Sequence, residues 1–342
     1  MSTARNTIDD FTQGRLSRRG LHGVARWGRR ATAISAAALA SGALAGPALA
    51  AAATPPDISA NYSFTTLNND KDTTFNQLLG INDTGQIAGY FGSGMTNHPN
   101  KGYTLSKPYA QGDYTNENFP GSAQTQVTGL DNSGVTVGFW VDTKGTNNGF
   151  YALRGKFHTV NFPTSDNASP KVDQLLGVND SGVAAGFYTD GKATNHGFTY
   201  SIAKQRFHTV HVAGDTNVTA AAINNFGDVA GFATNGAGTT EAYLLRSDGK
   251  VFHLDFPGAT ATQAFGVSNG DEVAGDYTIG TGSGATTTGF VWAPGFGFQT
   301  VNDPNGIGTT TVNGVNDRGT LVGFYTDSGG NTDGFIAKPS NG

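Results

Sequence analysis

Residues 177–187 read Gly-Val-Asn-Asp-Ser-Gly-Val-Ala-Ala-Gly-Phe, and this pattern returns five more times along the chain. The six copies begin at Gly80, Gly129, Gly177, Ala222, Gly266 and Gly314. Subtraction of these positions gives spacings of 49, 48, 45, 44 and 48 residues. Repeats of this length are typical of proteins built from one small unit that stacks on its neighbours. The sequence therefore predicts a repeated supersecondary unit over most of the chain.

Each copy contains a turn between two apolar runs, as in Asn179–Gly182. Asn and Asp bond the local backbone and Gly tolerates positive φ, so the pattern predicts a hairpin turn. The strand after the turn is apolar on both faces and should be covered on both faces. The fourth residue after the turn glycine is always Gly, as at Gly186, which is expected where a backbone or a large ring lies close.

Two further strands are predicted after this hairpin. A polar loop precedes a small-aromatic pair such as Gly197-Phe198, and a short turn then leads to Phe207-His-Thr-Val-His211. Four strands in each of six copies predict an all-β, six-bladed β-propeller. The sixth copy lacks its own fourth strand, whereas residues 62–68 carry that pattern ahead of the first copy. We expect 62–68 to complete the last blade and close the ring, which removes an exposed edge.

The first 50 residues have the order of an export signal. Ser17-Arg18-Arg19-Gly20-Leu21 is similar to a twin-arginine motif, an Ala-rich apolar run follows, and Ala48-Leu49-Ala50 is a small-x-small cleavage site. A membrane anchor is the alternative, but the short apolar run favours cleavage. Residues 51–61 are then an Ala/Pro linker, and 62–342 a single propeller domain. A bacterial protein that is secreted or held at the cell surface is expected.

Charge and cysteine content exclude several classes of partner and site. Residues 51–342 keep 14 of the 21 basic and 24 of the 26 acidic residues, a net charge of 14 − 24 = −10. This charge argues against nucleic acid and anionic membranes as partners. The chain has no Cys, so disulfides, thiolate metal sites and a Cys nucleophile are excluded. We expect a monomer.

The repeats resemble the HAF family of extracellular repeats over residues 61–342. The resemblance rests on the Gly-Val-Asn-Asp-x-Gly-x-Val-Ala-Gly-Phe core and the small-aromatic pair that follows it. His196-Gly197-Phe198 corresponds to the His-Ala-Phe triplet of the family. The resemblance implies a secreted repeat protein and supplies no catalytic residues.

The loops between second and third strands are the predicted ligand-binding site. Varied polar loops on a rigid scaffold are where specificity can be built, and a carbohydrate or a cell-surface partner would suit them. The candidate residues in these loops are His98, Asp142, Asn147, Asp190, Asn195, His196 and Asp327. Their oxygen groups would suit Ca²⁺, although plain turn chemistry explains the same residues. The Asn-Asp-x-Gly turns are expected on the opposite face, with their polar groups used by their own backbone.

One acid departs from the repeat. Asp276 stands where the other copies have an aromatic ring, which indicates either a wet strand end or a pocket that raises the carboxyl pKa. Two functions stay open. The first is a non-catalytic propeller that binds carbohydrate or a cell-surface partner. The alternative is an extracellular hydrolase or lyase that acts on a polysaccharide in one central pocket, with Asp276 as its notable acid.

Overall fold

The computed structural model describes residues 54–164 and 171–340. The predicted export signal and the first residues of the linker lie outside these ranges. Within them, the chain forms β-strands and three short 3₁₀ helices, at Ser59–Asn61, Gln111–Asp113 and Gly282–Gly284. The all-β class predicted from the sequence is confirmed. No helix in the described part of the chain is long and apolar enough to cross a membrane.

The described strands group into six antiparallel units of four strands, called here meanders 1 to 6. Meanders 1 to 3 comprise β2 (Asn76–Ile81), β3 (Ile87–Phe91), β4 (Lys101–Leu105) and β5 (Tyr114–Asn116); β6 (Gln124–Leu130), β7 (Thr136–Val141), β8 (Asn147–Leu153) and β9 (Lys156–Val160); and β10 (Val172–Val178), β11 (Val183–Thr189), β12 (Asn195–Ser201) and β13 (Arg206–Thr209). Meanders 4 to 6 comprise β14 (Thr216–Ile223), β15 (Val229–Thr234), β16 (Thr240–Leu245) and β17 (Val251–Leu254); β18 (Ala261–Val267), β19 (Val273–Ile279), β20 (Thr286–Ala293) and β21 (Gly297–Val301); and β22 (Thr310–Val315), β23 (Leu321–Thr326), β24 (Thr332–Pro339) and β1 (Tyr62–Thr66).

Neighbouring meanders are joined by very little backbone pairing. A single parallel pair, Val172 with Asn147, links meanders 2 and 3 into an eight-stranded sheet. Thr240 with Ala261 does the same for meanders 4 and 5. Side-chain packing must therefore hold successive meanders together, and the buried clusters contain residues of adjacent units, as with Val178 and Val160.

The last meander takes its fourth strand from the other end of the chain. β1 pairs antiparallel with β24, from Tyr62 opposite Pro339 to Thr66 opposite Phe335. The Phe64 ring packs 5.6 Å from the Phe335 ring. The pairing predicted for residues 62–68 is thus confirmed, with a strand that ends at Thr66. It covers the edge that β24 would otherwise expose.

The first strands of successive meanders approach so closely that only small residues fit. A Cβ added to Gly177 would lie 3.0 Å from the Ala222 Cα of the next meander. The series continues around the chain, and a Cβ on Gly314 of meander 6 would lie 3.3 Å from the Gly80 Cα of meander 1. The contacts between first strands therefore return to their starting point.

The repeated glycine after each turn has a different neighbour. A Cβ on Gly186 would collide with the carbonyl oxygen of Gln174 on β10, the residue before its partner Leu175. The close approach of a backbone predicted at this glycine is confirmed. The intruding backbone belongs to the same meander, at the bulge between Leu175 and Gly177.

This contact predicts a large difference between two glycine substitutions. Gly186→Ala should lower the free energy of unfolding by about 2 kcal/mol or more, because the carbonyl of Gln174 cannot move without breaking the bulge. Gly236→Ala is the control, since nothing lies within 4 Å of a Cβ at Gly236. Denaturant unfolding of both variants checks this, and losses that agree within about 0.5 kcal/mol would contradict it.

Candidate functional site

Polar groups gather at both ends of the meanders. The turns between first and second strands lie at one end, called the turn end. The loops between second and third strands, and the connections from one meander to the next, lie at the opposite end, called the loop end. This arrangement follows from the antiparallel strand order. The predicted ligand-binding residues belong to the loop end.

At the turn end, the side chain of Asn179, the first residue of its turn, hydrogen-bonds both within its own turn and to the next meander. Asn179 Oδ1 accepts hydrogen bonds from the backbone N–H groups of Ser181 and Val183, at 3.1 and 3.0 Å, and so closes its own turn. Its Nδ2 donates to the Asn224 carbonyl of the next meander, at 2.8 Å. Asn316 reaches the Asn82 carbonyl in the same way, at 3.1 Å. An amide supplies both the acceptor and the donor, which explains Asn in four of the six turns. Asp131 and Ser268 take this position in the other two.

The second residues of the six turns form a closed circle of hydrogen bonds. In each, the backbone N–H donates to the side-chain Oδ1 of the second residue in the next turn, at 2.7–2.9 Å. The circle runs through Asp83, Asn132, Asp180, Asn225, Asn269 and Asp317 and returns to Asp83. The expectation that these side chains serve their own turns is therefore wrong, since they connect neighbouring meanders.

Inside this circle lies a shallow cup with an apolar floor. The cup is lined by the polar residues of the turns and by one aliphatic side chain from each first strand. The aliphatic residues are Ile81, Leu130, Val178, Ile223, Val267 and Val315. The polar rim is already hydrogen-bonded within itself, as where Asn132 Nδ2 donates to Asp83 and Asp180 at 2.9 Å each. A structural role explains the rim.

At the loop end, Asp190 and His196 form one fixed pair. Asp190 Oδ1 accepts the N–H groups of Lys192 and Thr194, at 2.8 and 2.9 Å, and this closes the loop. Asp190 Oδ2 lies 3.0 Å from His196 Nε2. The bond to His196, followed by the backbone bonds, lowers the pKa of Asp190 to about 2. The His196 side chain is 39% exposed, so a ligand can reach it.

The imidazole of His196 caps a column of aromatic rings. Phe162, in the connection from meander 2, stacks on Tyr188 at 4.4 Å between ring centroids. Tyr188 in turn stacks on His196 at 4.9 Å. Phe119 and Trp140 repeat the first of these contacts in meander 2, at 4.4 Å. Pro follows Phe119, Phe162 and Phe256, and the Phe ring of each pair attaches its connection to the following meander.

The other loop carboxylates also cap their own loops. Asp142 Oδ1 accepts hydrogen bonds from the backbone N–H groups of Lys144 and Thr146, at 2.8 and 2.9 Å. Asp327 Oδ1 accepts them from the backbone N–H groups of Gly329 and Asn331, at 2.8 Å each. Hydrogen bonds lower the pKa of both carboxyls. The largest effect comes from the backbone N–H of Thr146 for Asp142 and from the side chain of Asn331 for Asp327. The structure therefore gives these two acids the turn role that the sequence also allowed.

The amides and the second histidine are held by other partners. Asn195 accepts from the Thr189 hydroxyl at 3.0 Å and donates to the Thr219 hydroxyl at 3.1 Å. Asn147 Oδ1 accepts a long hydrogen bond, 3.5 Å, from Gln174 Nε2. His98 Nδ1 lies 3.1 Å from Asp72 Oδ2, a pairing that the sequence analysis missed. Of the seven predicted residues, Asp190 and His196 are the two that bond each other through their side chains.

Tyr188 is the other functional candidate that sequence reasoning missed. It follows Phe187 on β11 and pairs with His196 on β12. The signal was present, because the equivalent positions hold Phe91, Trp140 and Tyr277. A recurring aromatic next to the loops would have pointed to a stacked column.

Asp276 lies between meanders 5 and 6, not at a wet strand end. It is 5% exposed, and its Oδ2 accepts the Thr311 hydroxyl at 2.8 Å. Burial raises its pKa to about 7, against a small opposing effect of the Thr311 bond. A carboxyl in this position contacts the neighbouring meander and lies outside the cup at the turn end.

The raised pKa of Asp276 predicts a specific pH dependence. Because the folded-state pKa lies above the unfolded value of 3.8, folding favours the protonated form, and stability falls as pH rises from about 4 to about 7. Asp276→Asn should therefore lose less thermal stability over this window than the wild type. Asp248→Asn, at an exposed turn, is the control and should follow the wild type. Parallel Tm curves for wild type and Asp276→Asn would contradict the assignment.

Within the described ranges, no three or more His, Asp or Glu side chains come together as a metal site. Ca²⁺ in the predicted loops stays a prediction.

No family model and no curated protein matches the chain.

Several solved structures are similar to it. AofleA from Arthrobotrys oligospora matches with a TM-score of 0.50 and 12% identity, over 81% of this chain and 86% of that chain. A fungal lectin from Aleuria aurantia, described as a six-bladed β-propeller with a novel fucose recognition mode, matches with a TM-score of 0.46 and 10% identity, over 82% and 93%. TolB from Acinetobacter baumannii matches with a TM-score of 0.47 and 11% identity, over 75% and 64%. At such identities, the likeness to AofleA bears on the fold alone.

Proposed function

We propose that the protein is a six-bladed β-propeller in which each meander is one blade and β1 completes the sixth. Two series of contacts support this. The close approaches of the first strands pass from meander to meander and return from Gly314 to Gly80. The circle of turn hydrogen bonds closes in the same way, from Asp317 to Asp83. Both series are those expected if the first strands surround a common centre.

We further propose that this propeller is a secreted, non-catalytic protein that binds carbohydrate at a cell surface through its loop end. The supporting observation is the column of Phe162, Tyr188 and His196 with Asp190 beside it. Packed aromatic rings offer an apolar surface to the C–H face of a sugar, and a fixed imidazole and carboxylate can bond its hydroxyl groups. The HAF-type origin, bacterial export and monomeric state belong to the same proposal.

The hydrolase or lyase alternative has less support. It requires an acid that can reach a substrate, and Asp276 is buried between two meanders. The turn-end cup has carboxylates, but the oxygen of each that lies outside the circle also accepts hydrogen bonds from neighbouring amides. Asp180 Oδ2, for example, accepts from Asn225 Nδ2 at 2.7 Å. A group that already holds a hydrogen-bonded circle together is poorly placed to take up and release protons.

Binding by the column can be tested with two histidine variants of meander 3. Glycan-array screening of the full chain identifies a bound sugar, and its Kd is then measured for His196→Ala and His208→Ala. His196→Ala should weaken binding at least about tenfold, about 1.4 kcal/mol, because it removes both the cap and its bond to Asp190. His208 lies exposed on the outer strand β13, so His208→Ala should bind like the wild type.

A second pair of variants distinguishes the two ends of the molecule. Asp83→Ala combined with Asp180→Ala should lower the Tm, because two links of the circle are lost, and should leave the Kd of the folded protein unchanged. Sugar binding that is lost in this double variant but kept in His196→Ala would place the site in the turn-end cup. Absence of any glycan binding by the wild type would overturn the carbohydrate proposal.

A further inference from the structure

The first strand of meander 3 carries a buried acid where other meanders carry a hydroxyl. Asp173 on β10 stands opposite Tyr188. The residues that stand opposite the equivalent aromatic rings of meanders 2, 5 and 6 are Thr125, Thr262 and Thr310. Asp173 Oδ1 accepts the N–H of Phe162 in the entering connection at 2.7 Å, and the three Thr hydroxyls accept the corresponding N–H at 3.0–3.3 Å. A hydroxyl is therefore enough for this contact.

The carboxyl group of Asp173 adds a charge that the contact does not require. Its side chain is fully buried, and burial raises the pKa of Asp173, against the opposing effects of the Phe162 N–H and of Lys171. Its Oδ2 lies 3.4 Å from Lys171 Nζ, an ion pair that leaves this oxygen without a well-directed hydrogen bond from the described residues. Because a buried charge is costly, its presence indicates a role for the pair that Thr could not fill.

Lys171 also departs from the repeat. It lies two residues before Asp173, and side chains two positions apart on an extended chain point to the same face. The residues at the equivalent position of meanders 1, 2, 5 and 6 are Thr74, Ala123, Thr260 and Gly308. Both members of the ion pair are thus exceptions to the repeat, in the meander whose column ends in His196.

Two acid–base pairs therefore flank the column. Asp173, Tyr188 and His196 form one row across the neighbouring strands β10, β11 and β12. Lys171 pairs with the acid at one end of this row, and Asp190 pairs with the imidazole at the other end. Neighbouring strands lie about 4.8 Å apart, so the two ends of the row are about 10 Å apart. This spacing suits two linked sugar rings better than one.

In both pairs the base is exposed and the acid is hidden. The side-chain exposure is 33% for Lys171 and 39% for His196, against 0% for Asp173 and 16% for Asp190. Because His196 Nε2 is engaged with Asp190, Nδ1 is the nitrogen that a ligand would use. A ligand on the column therefore meets a half-exposed ammonium group at one end and an imidazole nitrogen at the other.

We propose that the ligand of this site is an acidic oligosaccharide, whose carboxylate or sulfate group binds Lys171 while the next sugar ring lies along the column toward His196. The inference rests on the carbohydrate binding proposed above and specifies its ligand. An ammonium group binds either anion through charge-assisted hydrogen bonds. Asp173 is a positioning residue, because its two oxygens hold Phe162 and Lys171 beside the same ring.

Paired oligosaccharides that differ only in the acidic group test the ligand class. An array carries galacturonic, glucuronic and mannuronic acid tetramers beside their methyl esters, and sulfated galactan tetramers beside their desulfated forms. Calorimetry on the full chain then gives the Kd values of the best pair. The acidic form should bind at least about tenfold more tightly than its neutral counterpart, and added salt should reduce this difference.

The outcomes separate this inference from the proposed function. Equal Kd values for the acidic and neutral forms of every pair would overturn the acidic ligand and leave carbohydrate binding in place. Absence of binding by all the sugars would overturn both. A preference for uronates or for sulfated sugars identifies which anion Lys171 binds.

Two variants test whether the ion pair produces the preference. Lys171→Thr combined with Asp173→Thr introduces the residues that meander 5 has at these positions, so Phe162 keeps an acceptor and the Tm should not fall. This double variant should lose the preference for the acidic form, with the Kd of the neutral form unchanged. Lys204→Gln is the control, because it removes a positive charge from the exposed turn between β12 and β13, and it should keep the preference. A folded double variant that still prefers the acidic form would contradict the role of Lys171.

Discussion

The circle of six N–H to Oδ1 bonds at the turn end is the constraint on which the rest of the structure depends. Each bond joins residues 44–49 positions apart, except the last, which spans 234 positions from Asp317 to Asp83. Every turn both donates to one neighbour and accepts from the other. A repeat unit therefore completes its hydrogen bonding only when both neighbours are in place, which favours a closed arrangement over an open array.

The first strands add a steric condition to the same closure. Gly and Ala at the bulges let their backbones approach within van der Waals contact, and the aliphatic residues at the ends of the first strands line the cup inside the circle. The end of the series is closed by β1, which pairs with β24 and so joins the two ends of the domain in one sheet.

Much of the fold could be predicted because its signals are local and repeated. The Asn-Asp-x-Gly turn, the alternation of strands and the fourth-strand pattern at Phe64 each appear within a few residues. The bonds of Asp83 and Asn132 could not be predicted in the same way. An Asn-Asp turn has the same local sequence whether the second side chain serves its own backbone or that of the next repeat.

The candidate site shows the same limit. Sequence reasoning selected Asp142, Asp190 and Asp327 as candidates for ligand binding, and the structure shows all three capping their own loops. The binding role proposed for Asp190 depends on His196 and Tyr188, which only strand register brings beside it.

Amide hydrogen exchange at the second residues of the six turns tests closure most directly. The account predicts similar, high protection for the N–H groups of residues 83, 132, 180, 225, 269 and 317, because each belongs to one circle. Deletion of Tyr62–Thr66 should lower the protection of all six together. Protection that is lost only near Asp317 and Asp83, or that differs widely among the six in the intact chain, would contradict a closed circle.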